Sequence, residues 1–253
     1  MPALSAILEE LDRLLDPGAF EDHGPNGLQV PGSTEITTVA TGVSAGLELF
    51  ERAATIDAEL VLVHHGLFWE GQSRAVSREL AARLKLLLAH DINLVAYHLP
   101  LDAHPEVGNN ALIAEGLRAE AREPFGVHRG RAIGFAARFA GDGLAAPELF
   151  KRVRALTGRE PLVFDGGPQR VRSLGIVSGG AAGDLQQAID AGLDAFLTGE
   201  PAEPAMALAR EAGVHFIAAG HYATETFGVR RLGELVAQQF GISHEFIDVP
   251  NPV

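Results

Sequence analysis

Val39 to Gly66 reads VATGVSAGLELFERAATIDAELVLVHHG, and Leu174 to Glu200 reads LGIVSGGAAGDLQQAIDAGLDAFLTGE. Each begins with an apolar run closing on Val-Ser and continues through a turn of small residues. An amphipathic stretch then ends in Ile-Asp-Ala before a second apolar run. Apolar runs of strand length separated by helical periodicity describe strand–helix–strand units of a largely parallel sheet with helices on its faces. The next segments echo one another too, DINLVAYHLPLD in the first half and GVHFIAAGHYATE in the second. The chain is therefore expected to fold as two related α/β lobes with parallel or mixed sheets, residues 1–123 and 124–253. The C-terminal segment is free to return to the first lobe.

Working outward, Leu4 to Leu15 has helical periodicity and stops at Pro17-Gly18. His23 to Gly32 (HGPNGLQVPG) reads as a loop, Arg78 to Ala89 as a helix, and Leu99 to Asn110 as a connection. A further helix is expected to start near Asn110 and end before Pro124. Phe125 to Gly167 is expected to hold two strands flanking a helix near Pro147 to Leu156.

Composition narrows the function. The 253 residues include no cysteine, which removes disulfides, thiolate nucleophiles and Cys-based metal sites and suits a cytoplasmic location. A net charge of −13 makes a poor platform for duplex nucleic acid, which is held by Lys and Arg. No apolar run reaches the length of a membrane span. The first twenty residues carry acids within a helical pattern and no basic region, so no secretory signal is expected there.

The chemistry gathers where strands end. Parallel α/β sheets collect ligands at the carboxyl ends of their strands. There the sequence places His64-His65 after AELVLV, Asp102 after INLVAYHLPL, and His221 with Glu225 after VHFIAAG. On a regular strand two adjacent histidines point to opposite faces. At the last residue of the strand, with Gly66 next, they can converge. Three histidines, one Asp and one Glu form an N/O donor set for Zn, Fe, Mn, Co or Ni. Five donors exceed the three of a usual catalytic zinc, so two ions are expected. His90, His104, His128, His215 and His244 read as structural. The turn SGGAAGD, Ser178 to Asp184, reads as a strand-to-helix turn with Asp184 near the cap, because neither of the two lysines is placed as a phosphate clamp.

Together HGPNGLQV, VLVHHGLFW, YHLPLDAHPEVGNNALIA, FLTGE, AAGHYATE and the terminal FIDVPNPV resemble the Nif-three-like family, the GTP cyclohydrolase 1 type 2 homologues, in its short bacterial form. The resemblance runs from the first helix to the last residue. It implies a toroidal homohexamer with two divalent ions per chain, their ligands falling on His64, His65, Asp102, His221 and Glu225. It also implies a place for His98 close to the ions, as a proton shuttle or a supporting partner. It leaves open whether Asn26, Gln29 and Glu200 touch a substrate. The function implied is a metal-dependent hydrolase acting on a nucleotide-like small molecule through metal-bound hydroxide. The rival expectations are a metal-handling hexamer without catalysis and a ring-shaped scaffold for a macromolecular partner.

Overall fold

The computed structural model describes residues 1–253, apart from the side chain of Ala121. In chain order the helices are α1 (Leu4–Leu15), α2 (Leu47–Thr55), α3 (Arg78–Ala89), α4 (Leu99–Ala103) and α5 (Asn109–Gly116). They continue with α6 (Ala146–Thr157), α7 (Leu185–Asp190), α8 (Ala205–Ala212), α9 (His221–Thr224) and α10 (Thr226–Phe240). The strands begin with β1 (Gly27–Val30), β2 (Thr38–Ser44), β3 (Leu60–His65), β4 (Asn93–Ala96), β5 (Ala121–His128) and β6 (Arg131–Arg138). Then come β7 (Leu144–Ala145), β8 (Leu162–Phe164), β9 (Arg170–Val171), β10 (Ser173–Ile176), β11 (Ala195–Thr198), β12 (His215–Ala218) and β13 (Ser243–Phe246).

Two compact units emerge. The first combines Met1–Leu101 with Gly228–Pro250, and the second Asp102–Phe227 with Asn251–Val253. The sequence pattern places the division at residue 123 instead. The physical reason for the earlier division is α5, whose Ile113 and Ala114, with Leu117 just after it, are fully buried in the apolar cluster of the second unit.

In the first unit the sheet order is β1-β4-β3-β2-β13. The central strands and β13 run parallel, and β1 pairs antiparallel with β4. Leu60 to Val63 are fully buried, as a strand covered on both faces requires. Helix α1 buries Ile7, Leu11 and Leu15, one stripe at four-residue spacing, each contributing about 1.5–3 kcal/mol. It stops where Asp16 turns left-handed at φ 45° ahead of Pro17. Strand β1 lies in the stretch expected as a loop, and backbone pairing with β4 overrides its Gly-Pro punctuation.

Glu59, just ahead of β3, receives hydrogen bonds from Thr37 N (3.0 Å), Thr38 N (2.9 Å) and Thr37 Oγ1 (2.7 Å). Burial pushes its carboxyl up, but these three donors outweigh that effect and hold it below the ordinary value of 4.5. Because the folded value is the lower one, the stabilisation is complete above pH 4.5 and is lost as pH falls through the lowered value. Glu59→Gln is therefore expected to reduce stability at neutral pH and to flatten the acid limb. Urea midpoints from about pH 3 to pH 7 check this, and parallel profiles for the two proteins would count against it.

The second unit has the order β5-β6-β10-β11-β12-β8, with β10, β11 and β12 parallel and the outer partners antiparallel. A separate pair joins β7 to β9. The parallel triplet β10-β11-β12 has the same sequential order as β2-β3-β4, and each third strand is flanked by an antiparallel strand. The internal similarity of the sequence is thus a repeated topology. The helix expected to start near Asn110 and end before Pro124 is α5, which ends at Gly116, and Pro124 itself lies in β5. That strand is the sheet edge, where a residue without an N–H is tolerated. Strands β7 and β8 flank α6 directly, and Phe125 to Gly167 also holds β6 and the end of β5, more strands than the two expected; Gly158 closes α6 at φ 70°.

Among the described residues no helix is long and apolar enough to cross a membrane.

Candidate metal centre

The donor side chains lie at or just after the ends of parallel strands, His64, His65 and His98 in the first unit and His221 with Glu225 in the second, where Asp102 of α4 joins them. In the first, β3 stays paired to β2 as far as Ser44 and His65, whereas its register with β4 ends at Val63 and Ala96. Both histidines remain in β3, the last two residues of a strand released on its β4 side. The His64 and His65 rings stand 4.8 Å apart between centroids, tilted by 46°. His64 is fully buried, and its Nδ1 donates to Tyr97 O at 3.0 Å. His65 Nδ1 is hydrogen-bonded to Ser44 Oγ at 3.0 Å.

His98 follows β4, its ring 4.9 Å from that of His64 and 5.6 Å from that of His65. One nitrogen from each of these three imidazoles lies within 4.8 Å of the others. His98 Nδ1 meets Asp22 Oδ1 at 2.7 Å, and its backbone N–H donates to Asn26 Oδ1 at 2.8 Å. Burial raises the Asp22 carboxyl, but His98, Asn26 and the His23 backbone N–H outweigh burial and bring it down to about 2.

Asn26 spends its other end on Asp22 Oδ2 at 2.9 Å. Gln29 donates to Pro25 O at 2.8 Å and accepts from Leu67 N at 2.7 Å. Both amides hold the loop around the histidines. Gly66 lies against the Gln29 amide, and a Cβ there would push that amide aside.

The donors of the second unit are carboxylate-rich. Asp102, in α4, is buried and accepts from Asn109 Nδ2 at 2.8 Å and Ser178 Oγ at 3.1 Å. His221 opens α9, and its Nε2 lies 3.1 Å from Glu225 Oε2, the contact that four-residue spacing permits. Its Nδ1 is held by Glu200 Oε1 at 2.5 Å, which gives Glu200 the work of orienting that ring. Burial lowers the His221 pKa, but Glu225 and Glu200 more than offset this and push it up to about 9. An ion binding at Nε2 has to displace that proton.

Carboxylate oxygens of Asp102 and Glu225 lie within 4.8 Å of each other, and both residues are buried. Two carboxylates so close and so dry favour a cation or a proton beside them.

A divalent ion fits these donors chemically. His64, His98 and His221 each direct Nδ1 at a carbonyl or carboxylate oxygen, which sets the tautomer that offers Nε2 as ligand. For His65 the Ser44 hydroxyl takes either role.

The glycine-rich turn serves this arrangement as a support with its amides already spent. Ser178 N donates to Asn110 Oδ1, Gly179 N to Thr224 Oγ1 and Ala181 N to Thr198 Oγ1. Gly179 has φ 67°, and a Cβ on it would strike the Glu225 carboxylate. Gly179→Ala is expected to cost about 1–2 kcal/mol from the left-handed backbone alone. It should also displace Glu225, so urea unfolding and metal content should fall together. An unchanged metal content would mean that the change leaves Glu225 in place or that Glu225 holds no ion.

Of the residues singled out in the sequence, the first unit groups His64, His65 and His98, and in the second Glu225 stands close to Asp102 and to His221. Sequence reasoning missed Asp22, Ser44, Asn109, Asn110 and Ser178. No spacing rule marks them: Asp22, Ser44, Asn110 and Ser178 act through residues tens of positions away, and the seven positions between Asn109 and Asp102 cross from one helix to the next. Among the histidines read as structural, His215 is buried between Asp165 and the Pro168 carbonyl, and His244 is hydrogen-bonded to Thr41.

The model of the Duf34/NIF3 (NGG1p interacting factor 3) family matches residues 2–252. The chain belongs to the Duf34/NIF3 family. Over 250 residues it is 46% identical to a Pseudomonas aeruginosa protein named GTP cyclohydrolase 1 type 2 homolog, covering 99% of this chain and 98% of the other. An Archaeoglobus fulgidus protein of the same name is 40% identical over 249 residues, covering 98% of each. A protein from Thermus thermophilus, known from its crystal structure, is 35% identical, with a TM-score of 0.92 over the whole of both chains. The resemblance drawn from the motifs and the α/β fold class are both borne out.

Proposed function

We propose that His64, His65, Asp102, His221 and Glu225 hold two divalent ions and that the protein is a metal-dependent hydrolase of a nucleotide-like substrate. The observation that carries this reading is the pairing of imidazole orientation with buried acids. Three histidines have Nδ1 committed to a carbonyl or carboxylate oxygen, and two buried carboxylates stand within 4.8 Å of each other. When bound, the ions supply Lewis acidity and a water of lowered pKa.

The chain's own residues do the rest. His98 accepts or returns a proton at Nε2, held in place by Asp22 at Nδ1 and by Asn26 at its backbone. Asp102 is aligned by Asn109 and Ser178, and His221 by Glu200. The relatives' name points to hydrolysis of the guanine ring of GTP with release of formate.

A second reading, metal handling without catalysis, is favoured by one observation. The backbone amides of the glycine-rich turn at Ser178, Gly179 and Ala181 are engaged within the protein, so this turn offers no ready phosphate cradle.

The test loads purified protein with Zn, Mn, Fe(II), Co or Ni and follows formate release from GTP. Metal-dependent formate that disappears in His98→Ala, with metal content retained, supports the hydrolase. Bound metal without turnover of GTP or other purine nucleotides assigns the protein to metal handling. The hexamer implied by the family resemblance is part of the same proposal, and light scattering of the metal-loaded protein reads it directly.

A further inference from the structure

We infer that Arg159 is an anion-recognising residue of the second unit and that it holds a phosphate group of the ligand. The inference rests on the nucleotide-like substrate proposed above, and every residue it uses belongs to the second unit.

Helix α6 stops at Gly158, whose left-handed backbone at φ 70° turns Arg159 out of the helix. The half-buried Arg159 side chain then lies against Gly220, the residue ahead of His221. A Cβ on Gly220 would stand 2.6 Å from Nη1, 2.7 Å from Cδ and 3.1 Å from Cζ of Arg159. Gly220 also has φ 98°, a conformation that other residues rarely adopt. Glycine at this position thus admits the guanidinium to the turn that presents His221.

One contact fixes the fork in place. Nη1 donates to Pro252 O at 2.7 Å. Pro252 lies in a strap tied at the next residue, where Val253 O accepts from Tyr222 N at 3.0 Å and Val253 N donates to Asn251 Oδ1 at 3.0 Å. The strap therefore runs from Arg159 to the residue that follows His221.

Among the described residues no carboxylate stands at ion-pair distance from the Arg159 guanidinium. Glu160, next in the chain, meets Arg154 Nη1 at 3.0 Å instead, and Glu200 is taken by His221 Nδ1. This is unusual in a chain with 33 acids against 20 Lys and Arg. A carbonyl orients a guanidinium without neutralising it. The remaining N–H donors of the planar fork match the paired oxygens of a phosphate or a carboxylate, and of the two a nucleotide carries the phosphate. Consecutive Cα atoms stand about 3.8 Å apart, so a phosphate on Arg159 lies within the length of a nucleotide from His221. Arg159 supplies the anion contact that the glycine-rich turn, with its amides engaged, does not.

The experiment titrates the full chain with GMP, guanosine and inorganic phosphate by calorimetry, at matched metal content. GMP should bind about tenfold to a hundredfold more tightly than guanosine, a margin that shrinks as salt rises. Arg159→Gln should erase the margin and leave guanosine affinity unchanged. Arg159→Lys should restore part of it, since an ammonium brings the charge without the fork. Arg154→Gln removes an equal charge from the same helix and should leave the margin intact. A margin unmoved by Arg159→Gln, one lost equally in Arg154→Gln, or guanosine weakened as much as GMP would overturn the inference. Inorganic phosphate bound as tightly as GMP would overturn the assignment to a nucleotide.

Should Arg159→Gln not fold by circular dichroism, Arg159→Lys decides, with weaker GMP and unchanged guanosine expected and wild-type affinities for both overturning the proposal. Repeating the titrations after dialysis against a chelator separates Arg159 from the ions. A margin that persists there supports the anion site even where GTP yields no formate. Formate release with a margin indifferent to Arg159 would defeat this site and leave the hydrolase reading intact.

Discussion

Alanine at both His64 and Glu225 is expected to leave the protein with far less than the two ions per chain proposed for the wild type. The pair is chosen because each residue is buried and each belongs to a different unit. His64 supplies a nitrogen whose tautomer the Tyr97 carbonyl sets, and Glu225 supplies a carboxylate seated by the Gly179 turn. Losing both takes one imidazole and one carboxylate from a set of five. The scaffold should survive, since removing a buried carboxylate also removes a desolvation cost. Elemental analysis of untagged protein purified without chelator, with circular dichroism to confirm folding, makes the comparison. Equal metal in the folded variant and the wild type, or none in either after dialysis against Zn, Mn or Fe(II), would sink the dinuclear proposal.

Asn110→Ala should be the most damaging single change near the second donor set, at about 2–4 kcal/mol. Asn110 is fully buried at the start of α5. Its Oδ1 accepts from Ser178 N at 2.7 Å, and its Nδ2 donates to Ile133 O at 2.7 Å and Asp102 O at 3.3 Å. Alanine leaves a buried N–H and at least one buried carbonyl without that partner, each costing about 1–3 kcal/mol. The same change loosens Ser178, whose hydroxyl donates to Asp102. Metal affinity should therefore fall along with the urea midpoint. A midpoint matching the wild type would mean that water or a neighbour replaces the amide, and the assigned role of Asn110 would be withdrawn.

The histidine pair is legible from a few residues of sequence. An apolar run ending in His64-His65-Gly66 states its own geometry, because a strand alternates its faces only while it remains a strand. The structure keeps both histidines in β3 and ends its β4 side at Val63, one residue ahead of the pair. The spacing of His221 and Glu225 is legible for a similar reason, since one helical turn brings such residues together whatever surrounds them. Asp22 is not legible. Its contact with His98 spans 76 positions, and nothing in the loop EDHGPN separates an acid that braces a histidine from one that faces water. Asn26 and Gln29 resemble substrate-facing amides in sequence, yet both ends of each are occupied within the loop and the neighbouring backbone.

Two kinds of information thus divide this protein. The sequence by itself determined the repeated strand–helix–strand rhythm, the donor types and their placement at strand ends. These follow from local periodicity and from side-chain chemistry, which are properties of short stretches. Tertiary structure alone decided that α5 belongs to the second unit, that the Gly-Pro loop pairs as β1, and that Pro124 lies on a sheet edge. It also decided which oxygen stands behind each imidazole. Those outcomes depend on burial and on hydrogen bonds between residues tens of positions apart, where a local preference of a few tenths of a kcal/mol yields to packing worth several.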